Sequence, residues 1–176
     1  DMPTSRGLGD VYKRQYKKYD PENYDLAVMM DCSQCPIHED RRDLFNYYVD
    51  IHSKTLRGNG VEPSLLMTWA YKNVPEMIDG LSAAYTSAGN RNEAMVFPVG
   101  IAFQMAEKEI SDIDLYTKDK RHPSKAGTYL MAAVIYSSVY NVSPIGNAYD
   151  YGLDKQIQER LQVIAWKAVN KYFGGS

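Results

Sequence analysis

The chain has 176 residues, a formal net charge of −2 and a sequence pI near 5.9. This length allows one domain with a real hydrophobic core, and the charge gives no electrostatic basis for binding nucleic acid or an anionic membrane. Hydrophobic residues make up 44% of the chain, yet no apolar run approaches the roughly 20 residues that a membrane span requires. We therefore expect no nucleic-acid partner and no membrane span.

The chain begins with a run that does not look like part of a fold. Residues 1–15 lack an initiator Met at position 1 and show no apolar periodicity. The run resembles the translated adaptor read-through seen at the ends of metagenomic fragments, and we expect it to be non-native or disordered. Residues 16–176 are then expected to form a single domain. A signal peptide, and with it a secreted or periplasmic location, is left open by the sequence.

Short apolar runs alternate with amphipathic stretches along the rest of the chain. Strands are predicted at 25–30, 64–70 and 94–99, the last weakened by Pro98. Helices are predicted at 39–56, 75–88, 100–109, 124–140 and 153–172. The first of these helices is expected to carry Leu44, Tyr48, Ile51 and Thr55 on one face. This alternation predicts an α/β fold with a mainly parallel sheet.

The most informative stretch places Asp119 three residues before His122, just ahead of Pro123 and Ser124, which begin a helix. A carboxylate at this spacing can accept a hydrogen bond from one imidazole nitrogen and fix the tautomer, which leaves the other nitrogen to take a proton. The carboxyl ends of parallel strands form the usual ligand site of open α/β sheets. We therefore expect this loop to lie on the same rim as the segments that follow the first two strands.

A second motif, Cys32-x-x-Cys35, follows the first predicted strand. It allows a disulfide, two inert thiols, or thioredoxin-like thiol–disulfide exchange, which requires a thiol of lowered pKa. His38 adds a third potential metal ligand, but no fourth lies nearby in the sequence, so no metal site is predicted. The remaining polar and aromatic candidates are interpreted as surface carboxylates (Asp31, Asp112, Asp114), a solvated His52 and a core or pocket-wall Trp69.

Three ordered blocks resemble the SGNH, or GDSL-like, hydrolase superfamily. The first of them, residues 25–36, is similar to the sequence D-x-V-V-L-Q-x-Q-S-Q-x-P, which a bacterial branch of this superfamily has as the third block of its own family pattern. The second is Met-Thr-Trp at 67–69. The third is His-Pro-Ser-x-x-Gly-Thr-Tyr-Leu at 122–130, followed by Ser-Pro-Ile-Gly at 143–146. The resemblance implies a three-layer α/β/α sandwich of the flavodoxin-like type.

Carried over onto this sequence, the resemblance implies that His122 is the general base, that Asp119 orients it and that Gln34 donates to the oxyanion. The family nucleophile is a serine in a Gly-Asp-Ser-like turn after the first strand. Gly9-Asp10-Val11 lacks that serine. We therefore expect a chain truncated at its N-terminus, without its first strand and without its nucleophile.

The resemblance implies a serine ester hydrolase that deacylates carbohydrates or small esters without a cofactor. Two alternatives remain: a non-catalytic binding module of the same fold, and a thiol–disulfide oxidoreductase that uses Cys32 and Cys35. Loss of a central strand would leave a sheet edge unpaired, so self-association is also expected.

Overall fold

The computed structural model describes residues 24–174 and contains one sheet flanked by helices in this range. The sheet has three parallel strands in the order β1 (Leu26–Met29), β2 (Glu62–Leu66) and β3 (Met95–Phe97). The α-helices are α1 (Arg42–Gly58), α2 (Met77–Asn92), α3 (Val99–Glu109), α4 (Lys125–Tyr140) and α5 (Lys155–Phe173). A short 3-10 helix, Cys35–Ile37, follows β1.

The sheet separates two apolar clusters. Successive side chains of a strand point to opposite faces, so Leu65 and Val96 pack with α1 and α2, whereas Leu66 and Phe97 pack with α3, α4 and α5. Helices therefore cover both faces of a parallel sheet, and the predicted three-layer α/β/α architecture is confirmed.

All three strands are shorter than predicted, β1 by one residue at each end. The apolar run at 67–70 is buried but leaves the strand after Leu66, because Met67 donates its N–H to Phe97 and accepts from Gly100 as the chain turns across the end of the sheet. β3 ends before Pro98, which instead precedes the first turn of α3. The residues beyond β2 and β3 are apolar because they are buried, and this apolar sequence was predicted as strand although its backbone leaves the sheet.

The face predicted for α1 was wrong. The buried residues of this helix are Phe45, Val49 and Ser53, whereas the described part of the chain leaves Leu44 54% and Tyr48 52% exposed. The helix carries two adjacent apolar stripes, and packing against β2 and α2 selects the one that contains Phe45. The last helix, predicted at 153–172, is present as α5 at Lys155–Phe173, and its Leu161, Ile164 and Ala168 are buried.

Some predictions cannot be compared with the structure. The interpretation of residues 1–15 as non-native or disordered lies outside the described residues, and so does Gly9-Asp10-Val11. The assignment of residues 16–176 to one domain also stays a prediction. Within residues 24–174, no helix combines the length and the apolar composition of a membrane span.

Candidate active site

The loop between α3 and α4 carries the predicted base and its partner. An antiparallel bridge between Tyr116 and Pro123 closes the loop at its base. Inside it, the Thr117 N–H donates to the carbonyl of His122 at 2.9 Å, and the Lys120 N–H donates to the carbonyl of Thr117 at 2.9 Å. Lys120 adopts the left-handed region at φ 62°, which is uncommon for a residue other than glycine. The result is a tight turn whose two ends are joined by backbone hydrogen bonds.

Asp119 is the polar centre of this turn. One carboxylate oxygen accepts hydrogen bonds from the Thr117 hydroxyl at 2.7 Å and from the N–H groups of Arg121 at 2.9 Å and His122 at 3.0 Å. The other oxygen lies 2.5 Å from Nδ1 of His122. These donors, the His122 ring first, hold the pKa of Asp119 well below its usual range. The predicted hydrogen bond between Asp119 and His122 is therefore present, between a carboxylate and a ring nitrogen.

The opposite side of the His122 ring is open. Its side chain is 77% exposed, and residues 24–174 offer no hydrogen-bond partner to Nε2. Because an ionised carboxylate only accepts, Nδ1 must carry the hydrogen, and in the neutral ring Nε2 then carries a lone pair. This arrangement can take a proton from a group placed against Nε2. The catalytic roles assigned to the two residues stay predictions.

The start of α4 fixes the position of this loop. Ser124 caps the helix by accepting from the N–H of Gly127 at 3.2 Å, and its hydroxyl donates to the carbonyl of Asp114 at 2.7 Å. Gly127 lies so close to the backbone that a Cβ would collide with the carbonyl oxygen of Leu115. The Ser124-x-x-Gly127 segment therefore packs the start of α4 against the chain that leads into the His122 loop.

The segment after β2 supports the loop from a second direction. The indole N–H of Trp69 donates to the carbonyl of Arg121 at 2.8 Å, and the Lys72 N–H donates to the carbonyl of Lys120 at 3.0 Å. The guanidinium of Arg121 lies 4.9 Å from the centroid of the Tyr71 ring. Trp69 is buried, as the sequence suggested, but its N–H also positions the residue beside His122.

Gln34 lies in the turn after β1, at the carboxyl end of that strand as predicted. Its side chain is exposed, and the described residues give it no hydrogen-bond partner. The Thr68 hydroxyl donates to the carbonyl of Ser33 at 3.3 Å, so the segment after β2 contacts the turn that holds Gln34 and also the His122 loop. The role of Gln34 as an oxyanion donor, and its expected closeness to His122, stay predictions.

A disulfide joins Cys32 and Cys35 on either side of Gln34. Of the possibilities left open by the sequence, the structure shows the bonded form. Ligand atoms of Asp31, Cys32 and Cys35 lie within 4.8 Å of one another, but sulfur atoms that are bonded to each other supply no thiolate for a metal. His38 accepts from the N–H of Asp40 at its Nδ1, 3.2 Å away.

Several interactions around the loop were absent from the sequence interpretation. Thr117 holds Asp119, and its T-x-D spacing is the one local signal that could have suggested this. Asp112 and Asp114 are largely exposed, as expected, but each forms an ion pair: Asp112 with Arg160, and Asp114 with Lys72 at 2.8 Å. These pairs connect distant segments, so no pattern of neighbouring residues predicts them.

The nucleophile has no counterpart in the described part of the chain. No serine hydroxyl of residues 24–174 is hydrogen-bonded to His122. Ser33 precedes Gln34, and its backbone carbonyl accepts the hydrogen bond from the Thr68 hydroxyl. That the nucleophile serine is missing from this chain stays a prediction.

Comparison with known proteins bears on the fold of the chain. No family model and no curated protein matches the sequence. A DUF4886 family protein from Bacteroides uniformis superposes with a TM-score of 0.76 at 17% identity, covering 93% of this chain and 68% of that one. A protein described as a "putative SGNH hydrolase" from Slackia heliotrinireducens superposes with a TM-score of 0.61 at 22% identity, covering 72% of each chain.

At these identities the likeness concerns the fold. The narrower resemblance to the branch with the Q-S-Q-x-P block stays a prediction. The parallel sheet, the helices on both its faces and these two structural neighbours together show that the chain has an SGNH-like α/β/α fold.

Proposed function

We propose that the protein is an ester hydrolase of the SGNH type, in which His122 is the general base and Asp119 its orienting carboxylate. One observation carries the proposal: Nδ1 of His122 is bonded to Asp119, and Nε2 is open to solvent. The SGNH-like fold and a neighbour described as a hydrolase of that superfamily support it. Acylated carbohydrates or small esters are the proposed substrates.

The reaction follows from the two nitrogens of His122. A serine hydroxyl placed against Nε2 transfers its proton there as its oxygen forms a bond to the ester carbonyl carbon. The imidazolium that forms is stabilised by Asp119, and its Nε2 proton passes to the leaving alcohol as the ester C–O bond breaks. Water then repeats the sequence on the acyl-enzyme, which releases the acid and restores the serine.

Gln34 is the proposed donor to the oxyanion. Its side-chain amide carries two N–H groups, and its exposed, unpartnered position at the end of β1 leaves them available for substrate. A donor of this kind is most useful when it faces the oxygen on which charge develops.

The experiment compares wild type, His122→Ala and His52→Ala in the longest natural chain that contains these residues. Hydrolysis of an aryl acetate and labelling by a fluorophosphonate are measured. His122→Ala should lose about a million-fold in turnover, because the members of a triad act as a unit. His52 is exposed and stacks on Tyr48 5.9 Å away, so His52→Ala should keep full activity. Equal activity of all three proteins would contradict the proposal.

The 176-residue chain by itself provides a second comparison. We expect it to show no turnover of the aryl acetate, because residues 24–174 place no serine hydroxyl on His122. Inhibitor-sensitive turnover by this chain would overturn that expectation, and Ser33 would then be the first residue to replace.

A non-catalytic binding module of the same fold is the second candidate. It is favoured by the same lack of a serine contact at Nε2 within residues 24–174. Absence of both turnover and fluorophosphonate labelling in the longest natural chain would favour this candidate over the hydrolase.

A further inference from the structure

A pocket of about 230 Å³ lies between the segment after β2 and helix α3. Tyr71 and Lys72 line it from the segment after β2, and Phe103, Gln104 and Glu107 line it from α3. Size and concavity of this order suit one small ring rather than an extended chain. None of these five residues belongs to the proposed catalytic set.

Aromatic rings form the apolar part of this pocket. Phe103 is buried and stacks on Trp69 with centroids 4.9 Å apart. Tyr116 meets the edge of Phe103 at 5.6 Å and donates its hydroxyl to the carbonyl of Ala70 at 2.9 Å. These rings are therefore fixed before any ligand arrives, which lowers the entropy cost of binding.

Two polar side chains in the pocket lack partners. Gln104 and Glu107 are half-buried and lie three residues apart, on one face of α3. The described residues give neither side chain a hydrogen bond. Burial raises the pKa of Glu107, against the opposing field of Lys72. A carboxylate and an amide that are partly removed from water without partners favour a ligand that brings hydroxyl groups.

The charges around the pocket nearly cancel. Lys72 and Lys108 are the cations that line it; Glu107 is an anion of its lining, and Asp114 lies 2.8 Å from the ammonium of Lys72. A strongly charged ligand would face charges of both signs, including some that repel it. A neutral ligand with several hydroxyl groups meets none of this repulsion.

The pocket also adjoins the proposed active site. Tyr71 lines the pocket, and its ring contacts the guanidinium of Arg121, the residue before His122. Lys72 lines it and is hydrogen-bonded to the His122 loop through Lys120. A ligand held in the pocket would therefore lie against the same segment that supports the catalytic loop.

We propose that this pocket binds the sugar ring of an acylated carbohydrate, with Glu107 and Gln104 hydrogen-bonded to its hydroxyl groups and the half-buried Tyr71 ring against its apolar face. The identification of that sugar as part of a substrate rests on the proposed function. The binding itself does not, because it needs neither a nucleophile nor turnover.

The test is an NMR titration of the ¹⁵N-labelled 176-residue chain with methyl β-D-glucopyranoside and methyl β-D-xylopyranoside, and with cyclohexanol as an apolar ring of similar size. At least one glycoside should shift the amide signals of Tyr71, Gln104 and Glu107, with saturable millimolar binding. Glu107→Ala and Gln104→Ala should each weaken it about tenfold, the cost of a lost hydrogen bond in a partly dry site. Glu107→Gln, which keeps the side-chain shape, should weaken it less.

Glu159→Ala is the matched control, because Glu159 is exposed on α5 and makes only a loose pair with Lys155 at 3.8 Å; it should bind like wild type. Absence of shifts up to the solubility limit, equal binding of cyclohexanol, or unchanged binding by both alanine variants would each overturn the proposal. His122→Ala should retain glycoside binding. Glycoside binding without esterase activity in the longer chain would defeat the proposed function alone, and activity without glycoside binding would defeat the pocket alone.

Discussion

Two turns at the carboxyl end of the sheet are held in different ways. In the turn at 117–122, the Asp119 carboxylate accepts hydrogen bonds from four donors, and Trp69 and Lys72 attach the turn to the segment after β2. The turn at 32–36 is closed by the Cys32–Cys35 disulfide, Cys35 and Pro36 are buried, and the Thr68 hydroxyl donates to the Ser33 carbonyl at 3.3 Å. Gln34, its candidate functional side chain, has no partner among the described residues.

The two turns differ in how far their candidate functional side chains, His122 and Gln34, are held in place before a substrate binds. A ring whose nitrogen is fixed by a carboxylate, itself fixed by three further donors, is ready to accept a proton without rearrangement. An exposed amide is ordered when a ligand supplies its hydrogen bond, and that ordering costs side-chain entropy. We therefore expect the proposed base, His122, to be preorganised and the proposed oxyanion donor, Gln34, to be adaptable.

Among changes that keep His122 and act on one of the two turns, the largest expected effect comes from removing the charge of Asp119. Asp119→Asn in the longest natural chain should lower kcat for the aryl acetate by about 10⁴-fold, the cost of the wrong tautomer in serine hydrolases. Asp112→Asn is the matched control, because Asp112 pairs with Arg160 at the surface and does not contact the loop. A loss below about tenfold for Asp119→Asn would show that the His122 turn is not a catalytic unit.

A smaller loss is expected at Gln34. Gln34→Ala should lower kcat by about 10²- to 10³-fold, the usual cost of one oxyanion donor, and Gln34→Asn should keep part of the rate because an amide remains. Ser33→Ala tests the turn without touching the amide and should leave the rate unchanged. Steady-state kinetics that place Gln34→Ala and Ser33→Ala at the same rate would remove Gln34 from the mechanism.

A third change tests the packing of α4 against the chain that leads into the turn at 117–122. Gly127→Ala places a Cβ against the backbone of Leu115, and this overpacking should lower the free energy of unfolding by about 1–3 kcal/mol. The control is Gly58→Ala, because a Cβ at Gly58 meets no atom within 4 Å. Urea denaturation measures both variants. Equal midpoints would mean that the close contact between α4 and the chain before the His122 loop is not tight.

The smallest expected effect is in acid. The pKa of Asp119 is lowered in the folded protein, first by the hydrogen bond to the His122 side chain. The stabilisation that ionised Asp119 gives the folded protein is therefore complete above the pKa that its carboxyl has in the unfolded chain, near 4. This stabilisation is lost as pH falls below that value. The difference in unfolding free energy between wild type and Asp119→Asn should thus shrink as pH falls below about 4. A difference that grows on acidification would contradict the assigned direction.

Sequence patterns predicted the elements that depend on local chemistry. The Pro-Ser pair placed the start of α4 correctly, and the spacing of Asp119 and His122 anticipated their hydrogen bond. The three-layer arrangement followed from apolar strands that alternate with amphipathic helices.

The errors lie where tertiary contacts decide. The run at 67–70 is as apolar as a strand, yet it turns across the sheet because α3 approaches it closely: a Cβ on Gly100 would collide with the carbonyl of Thr68. The apolar stripe of α1 that includes Leu44 is exposed because Phe45, one position on, faces the core. The hydrogen bond from Trp69 to Arg121 joins residues 52 positions apart, which no local pattern can indicate.

The claim that Asp119 fixes His122 as a base with Nε2 free is tested most directly by the tautomer of that ring. Two-bond ¹⁵N–¹H NMR spectra of the 176-residue chain, recorded at a pH where the ring is neutral, distinguish a protonated Nδ1 from a protonated Nε2. We predict the Nδ1–H tautomer in wild type and its loss in Asp119→Ala, with His52 unchanged as the internal reference. An Nε2–H tautomer in wild type, or the same tautomer in both proteins, would contradict the account.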